Sequence, residues 1–94
     1  MKKNFPLHDP RKADARVLDA IKHEIRKYVQ RERAKKLPEG FGQWNFAARV
    51  GAEAASAEPK DLKGISAALD AVAKTGVSSV YVEIVASPGQ LSRA

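Results

Sequence analysis

The chain predicts a two-layer α+β sandwich, three or four strands with two helices on one side, in the ferredoxin-like order β-α-β-β-α-β. Three observations carry the prediction. Two segments repeat their apolar residues at intervals of three and four, as an amphipathic helix does. Three segments alternate them at intervals of two, as a half-buried strand does. The two kinds interleave along 94 residues that are 44% hydrophobic, enough for one small domain with little stability margin. We assign residues 1–89 to that domain and 90–94 to a flexible C-terminal tail.

From Lys2 to Leu7 the residues Lys3, Phe5 and Leu7 share one side and Lys2, Asn4 and Pro6 the other, which suits a short strand ending near Pro6, where no ladder donor is available. Asp9-Pro10 and Asp14 are two helix-start signals about one turn apart. Val17, Leu18, Ile21, Ile25, Tyr28 and Val29 then form a stripe about 120° wide. Beyond Val29 the same direction holds Glu32, Lys35 and Lys36, so the helix is expected to overhang its core and run into solvent as far as Leu37-Pro38.

Trp44, Phe46, Ala48 and Val50 alternate with Asn45, Ala47 and Arg49, a second strand that Gly51 ends. Ser56 to Leu62 reads either as a strand pairing back on Trp44 to Val50, or as a loop with Pro59 opening the next helix, which gives β-α-β-α-β. Leu62, Ile65, Leu69 and Val72, with Ala68 and Ala73, form the second helix, and Gly76 suits a left-handed cap. Val80, Val82, Ile84 and Ala86 oppose Ser79, Tyr81, Glu83 and Val85 in a last strand that Ser87-Pro88-Gly89 should break. Asn45, Arg49, Tyr81 and Glu83 share the non-core parity, so one face of the sheet should be wet.

Charge is distributed unevenly. Residues 11–36 carry ten Lys or Arg against four acids, a surplus equal to the net charge of +6 for the whole chain. A concentrated positive stretch raises the local potential and draws polyanions. The absence of cysteine excludes disulfides, thiolate metal sites and thiol chemistry and favours a cytoplasmic protein. The MKKNFPLHDP start has no apolar run, and no segment approaches the length of a membrane span, so neither a leader nor membrane association is expected.

The segments KKNFPL, IKHEIRKYVQRERAKKLPEGFGQWNF, RVGAEAASAE and SVYVEI resemble a family of small bacterial proteins of unknown function. The KHE-RKY-RER run followed by LPEG is the most specific part, and the likeness covers nearly the whole chain. It implies a bacterial, cytosolic, single-domain protein, and it favours the strand reading of Ser56 to Leu62. It transfers no active site. Relatives are more polar at the positions taken here by Asn45, Ala47 and Ala48, sometimes with a cysteine, and this chain's departure argues against a thiol or metal role.

One constellation has chemical substance. Lys22, Arg26, Lys27, Arg31, Arg33, Lys35 and Lys36 on the first helix could pair with RNA or DNA phosphates, each neutralised phosphate releasing counterions. Arg16 and His23 join the same outward band. The plainer reading is a solvated basic face with internal pairs Asp19–Lys22, Glu24–Lys27 and Glu32–Lys36, each worth a few tenths of a kcal/mol. Only Tyr81 has the parity to stack a base on the open sheet.

His23-Glu24 lacks the second ligand of an HExxH helix, since position 27 is Lys, and His8 stands alone, so no metal is expected. Ser56, Ser66, Thr75, Ser78 and Ser79 lack a nucleophile-elbow pattern. Glu58 with Asp61 reads as helix-start charge, and the scattered glycines make no phosphate loop. The expectation is a non-enzymatic binding module without a cofactor; the rival is a protein-interaction or homodimerising domain that docks through a sheet edge or the overhanging helix.

Overall fold

Four strands, β1 (Lys2–Pro6), β2 (Phe41–Gly51), β3 (Glu58–Lys60) and β4 (Ser79–Gln90), form one antiparallel sheet in the order β1-β4-β2-β3. The computed structural model describes residues 1–90. Helices α1 (Asp14–Ala34) and α2 (Ile65–Ala73) pack on it, with short 3-10 turns at Ala54–Ser56 and Leu62–Gly64. The predicted two-layer α+β arrangement and element order both hold. Each helical crossover is split: β4 lies between β1 and β2, and β2 lies between β3 and β4. The central pair is therefore β2 and β4, a variant of the ferredoxin-like plan, which centres its first and third strands.

Strand parity is as the alternation predicts. Phe5, Ala48, Val50, Val80, Val82 and Ile84 point at the helices and are buried, and α1 meets them with Val17, Ile21, Ile25 and Val29. Ile65 and Leu69 complete this core from α2, while Leu18, Tyr28, Phe46, Leu62 and Val72 pack at its margin. Gly76 closes the turn after α2 at φ +84°, which a residue with a Cβ adopts only under strain.

Several boundaries differ from expectation. Asp9-Pro10 does not start α1. The Asp9 side chain instead accepts the Arg11 N–H at 2.8 Å in a separate turn, and the helix begins at Asp14. At its other end α1 stops at Ala34, with Lys35 already extended, short of the expected Leu37-Pro38. The third strand exists but spans only Glu58–Lys60; Ser56 closes one 3-10 turn and Leu62 opens the other. Pro59 is tolerated because β3 is an edge strand with a free donor side.

The last strand runs through Ser87-Pro88-Gly89 to Gln90 instead of breaking there. Pro88 lies beyond the end of β1, where β4 has a free edge and a missing N–H leaves no ladder bond unmade. Gln90 thus belongs to the sheet, and the rest of the expected tail, residues 91–94, lies outside the described residues.

Because β2 pairs with β4 from Phe41 to Gly51 while β1 reaches only Glu83 and β3 only Ala48, the far half of that pair is a two-stranded ribbon. It lengthens the molecule to 49 × 25 × 20 Å. The end of α1 lies over this ribbon. The Trp44 indole N–H donates to the Lys35 carbonyl at 3.0 Å, and the Arg33 guanidinium stands 5.4 Å above the Phe46 ring.

Candidate functional site

The basic face of α1 divides according to what its neighbours supply. Lys22 faces α2 and donates to Asp70 at 2.8 Å, with its side chain only 17% exposed, so it ties the two helices together and is removed from the set of free cations. Lys35 pairs with Glu32, 2.6 Å away on the preceding turn. Arg33 is held over Phe46 and keeps its charge. Arg26, Lys27, Arg31 and Lys36 are exposed and have no carboxylate partner among the described residues, and neither has Arg16 nearer the helix start.

None of the three expected internal pairs forms. Lys22 reaches across to Asp70 and not to Asp19; Glu24 is taken by Lys3 of β1 at 2.9 Å and not by Lys27; Glu32 is taken by Lys35 and not by Lys36. The consequence runs against a self-neutralised helix. By occupying Glu24 and Glu32 with cations at the flank and the end, the fold leaves Lys27 and Lys36 free. For Lys22 and Glu24, interhelical and helix–strand pairing overrides the local spacing because surface i,i+3 and i,i+4 pairs contribute so little, while Glu32 keeps a local partner one residue earlier than expected.

Beside this ridge, between α1 and Leu62–Ile65, runs a groove of about 290 Å³. Arg26, Arg33 and Lys63 stand around a floor of Ile25, Val29 and Ile65, and no carboxylate lines it. Lys63 therefore extends the cationic surface from the first helix to the 3-10 turn that leads into α2. Its sequence context, a lone lysine at the start of an amphipathic stripe, carries no sign of this.

The open face of the sheet holds a polar cluster that only strand register reveals. Arg49 lies directly across from Glu83 and approaches it at 3.7 Å, and Tyr81 donates its hydroxyl to Glu83 at 2.8 Å. Arg49 also donates to the carbonyls of Ala57 at 3.0 Å and Ala54 at 3.4 Å, which fastens the 54–57 segment over the end of β2. That segment can lie so close because Gly51 has no side chain: a Cβ there would stand 2.7 Å from Ala57 Cα.

Tyr81 is buried with its hydroxyl engaged, so it offers no stacking platform, and the sheet has lost its one expected base-binding aromatic. The hydrogen bond to Glu83 chiefly, and burial second, push its pKa above 10.0. A tyrosine shifted upward is a poorer acid at neutral pH, and the hydrogen bonds of Tyr81 and Arg49 clasp this face of the sheet together.

His8 is less isolated than its position suggests. Its Nδ1 lies 2.9 Å from Asp14 Oδ1 at the start of α1. Among the described residues no group of three or more His, Cys, Asp or Glu is placed to hold a metal ion. No helix among the described residues is long and apolar enough to cross a membrane.

Together these features define a small two-layer α+β protein with a cationic ridge on its longer helix and a clasped polar cluster on its open sheet face. Over residues 1–94 the chain matches a family described as a family of unknown function (DUF6172), and it belongs to that family. No curated protein and no solved structure matches it.

Proposed function

We propose that the protein is a non-enzymatic binding module that engages the phosphate backbone of structured RNA or duplex DNA through Arg16, Arg26, Lys27, Arg31 and Lys36. The single supporting observation is that these cations remain solvent-facing and unpaired after Lys22, Lys35 and the neighbouring acids have found partners within the fold. From Arg16 to Arg31 the ridge runs about 22 Å at about 1.5 Å per residue. That length spans about six base steps of a duplex at about 3.4 Å of axial rise per step.

Backbone recognition is favoured over base reading because Tyr81, the aromatic with the parity to stack a base on the open face, is buried and engaged, which leaves only Phe41, at the far end of the ribbon, as an exposed aromatic among the described residues of the sheet. Five engaged phosphates predict that log affinity falls against log salt with a slope of about −4.5 for a duplex. Titrations with a short duplex RNA and a short duplex DNA, followed by fluorescence anisotropy at several salt concentrations, test this. Binding indifferent to salt, or no binding at low salt, rejects the proposal.

A further inference from the structure

Strand edges expose unpaired amides and carbonyls that another chain can extend, and natural sheets blunt them with lysine, proline or short length. The outer edge of β1 carries Lys2, Lys3 and Pro6; β3 is three residues long and contains Pro59 and Lys60; β4 beyond β1 contains Pro88. The outer edge of β2 from Phe41 to Ala47 is different. Among the described residues it has no strand partner on the side away from β4, and its seven residues include no charge and no proline. Phe41 and Val85, the two exposed large hydrophobic residues among those described, both belong to the ribbon this edge bounds. A two-stranded ribbon is marginal alone and gains stability from a further strand.

We propose that residues Gln43 to Ala47 of this edge pair with the same residues of a second copy of the chain, antiparallel about a two-fold axis normal to the sheet at Asn45, stopping short of Ala48, where β3 takes up the edge. Such an axis joins two four-stranded sheets into one of eight strands and makes the contact self-complementary. It keeps both helical layers on the same side, so that Trp44 and Phe46, which face the helices, meet the partner's Phe46 and the partner's Trp44 as cross-strand aromatic pairs. The segment's neutrality matters here: two copies meet without the like-charge repulsion that the lysines of β1 would impose. Both cationic ridges then lie on one side of the assembly, but the pairing itself needs no nucleic acid.

Sedimentation velocity across a concentration series, without nucleic acid and at high salt, tests the proposal. The wild-type protein is expected to shift from monomer to dimer. Gln43→Lys combined with Asn45→Lys, both at exposed positions, should weaken self-association by at least about tenfold while leaving the circular dichroism spectrum intact. Because the chain has no cysteine, single-cysteine variants give a second reading that does not depend on the double variant's folding. Oxidised Asn45→Cys should crosslink into dimers and Ser66→Cys, exposed on α2, should not. A wild type that stays monomeric overturns the proposal, as does a double-lysine variant that dimerises equally well or a Ser66→Cys variant that crosslinks as fast. High salt weakens phosphate binding and leaves edge pairing standing, so the failure of either reading can be told from that of the other.

Discussion

At the scale of single residues, two positions decide how the open face is built. Gly51 stands where the 54–57 segment crosses the sheet, and a methyl group there would meet main chain, which cannot rotate out of the way as a side chain could. Gly51→Ala is expected to destabilise the fold by about 1–3 kcal/mol, as overpacking does, read from urea denaturation. Tyr81 is the second. Its neutral form is favoured in the folded state, so the stability it contributes is complete below its unfolded pKa of 10.0 and is lost as pH rises through the higher folded value. Ultraviolet difference titration should find Tyr81 ionising at higher pH in the wild type than in Glu83→Gln, because that change removes the carboxylate that opposes a phenolate. Neither position was legible from the chain alone. Arg49, Tyr81 and Glu83 shared a parity, but parity says only that they face the same way. Their meeting depends on the register that sets Arg49 opposite Glu83.

At the scale of elements, α1 is where sequence periodicity and structure agree best. Val17, Ile21, Ile25 and Val29 are buried where the stripe places them, since each turn of a helix repeats the same direction and the core lies on one side only. Ile25→Ala is therefore expected to cost about 2–5 kcal/mol, a loss below about 1 kcal/mol being incompatible with that packing. The ends of elements were less legible. Asp9 had the chemistry of a cap and serves a separate turn; Pro88 had the chemistry of a breaker and lies within a strand. Both residues are read correctly as local preferences. What each does depends on whether a neighbouring strand or helix is there to demand the donor, and that is a property of the sheet.

At the scale of the whole molecule, the charge surplus of residues 11–36 survives folding but is redistributed. Lys22 and Lys35 are neutralised by neighbours, whereas Lys27 and Lys36 are released by pairs that form elsewhere. If the ridge holds phosphates, Arg26→Ala, Lys27→Ala and Arg31→Ala should each flatten the salt slope by about 0.9, while Lys22→Ala should leave it nearly unchanged. A slope that responds equally to all four would mean that net charge, not the ridge, governs binding. This pattern separates a surface from a composition, which the sequence could not do, since spacing alone assigned Glu24 to Lys27 and Glu32 to Lys36.

The sequence by itself determined the α+β class, the two helices and three longer strands in their order, the two faces of each of those strands and the lopsided charge, because all of these follow from periodicity and composition within a short stretch of chain, whereas it left Ser56 to Leu62 between strand and loop. Only the tertiary structure decided the strand order, the β2/β4 ribbon with its unguarded edge, the clasp at Glu83 and which cations stay free. Each of these depends on contacts between residues far apart in the chain, where weak local preferences of a few tenths of a kcal/mol yield to whatever partner the packing brings near.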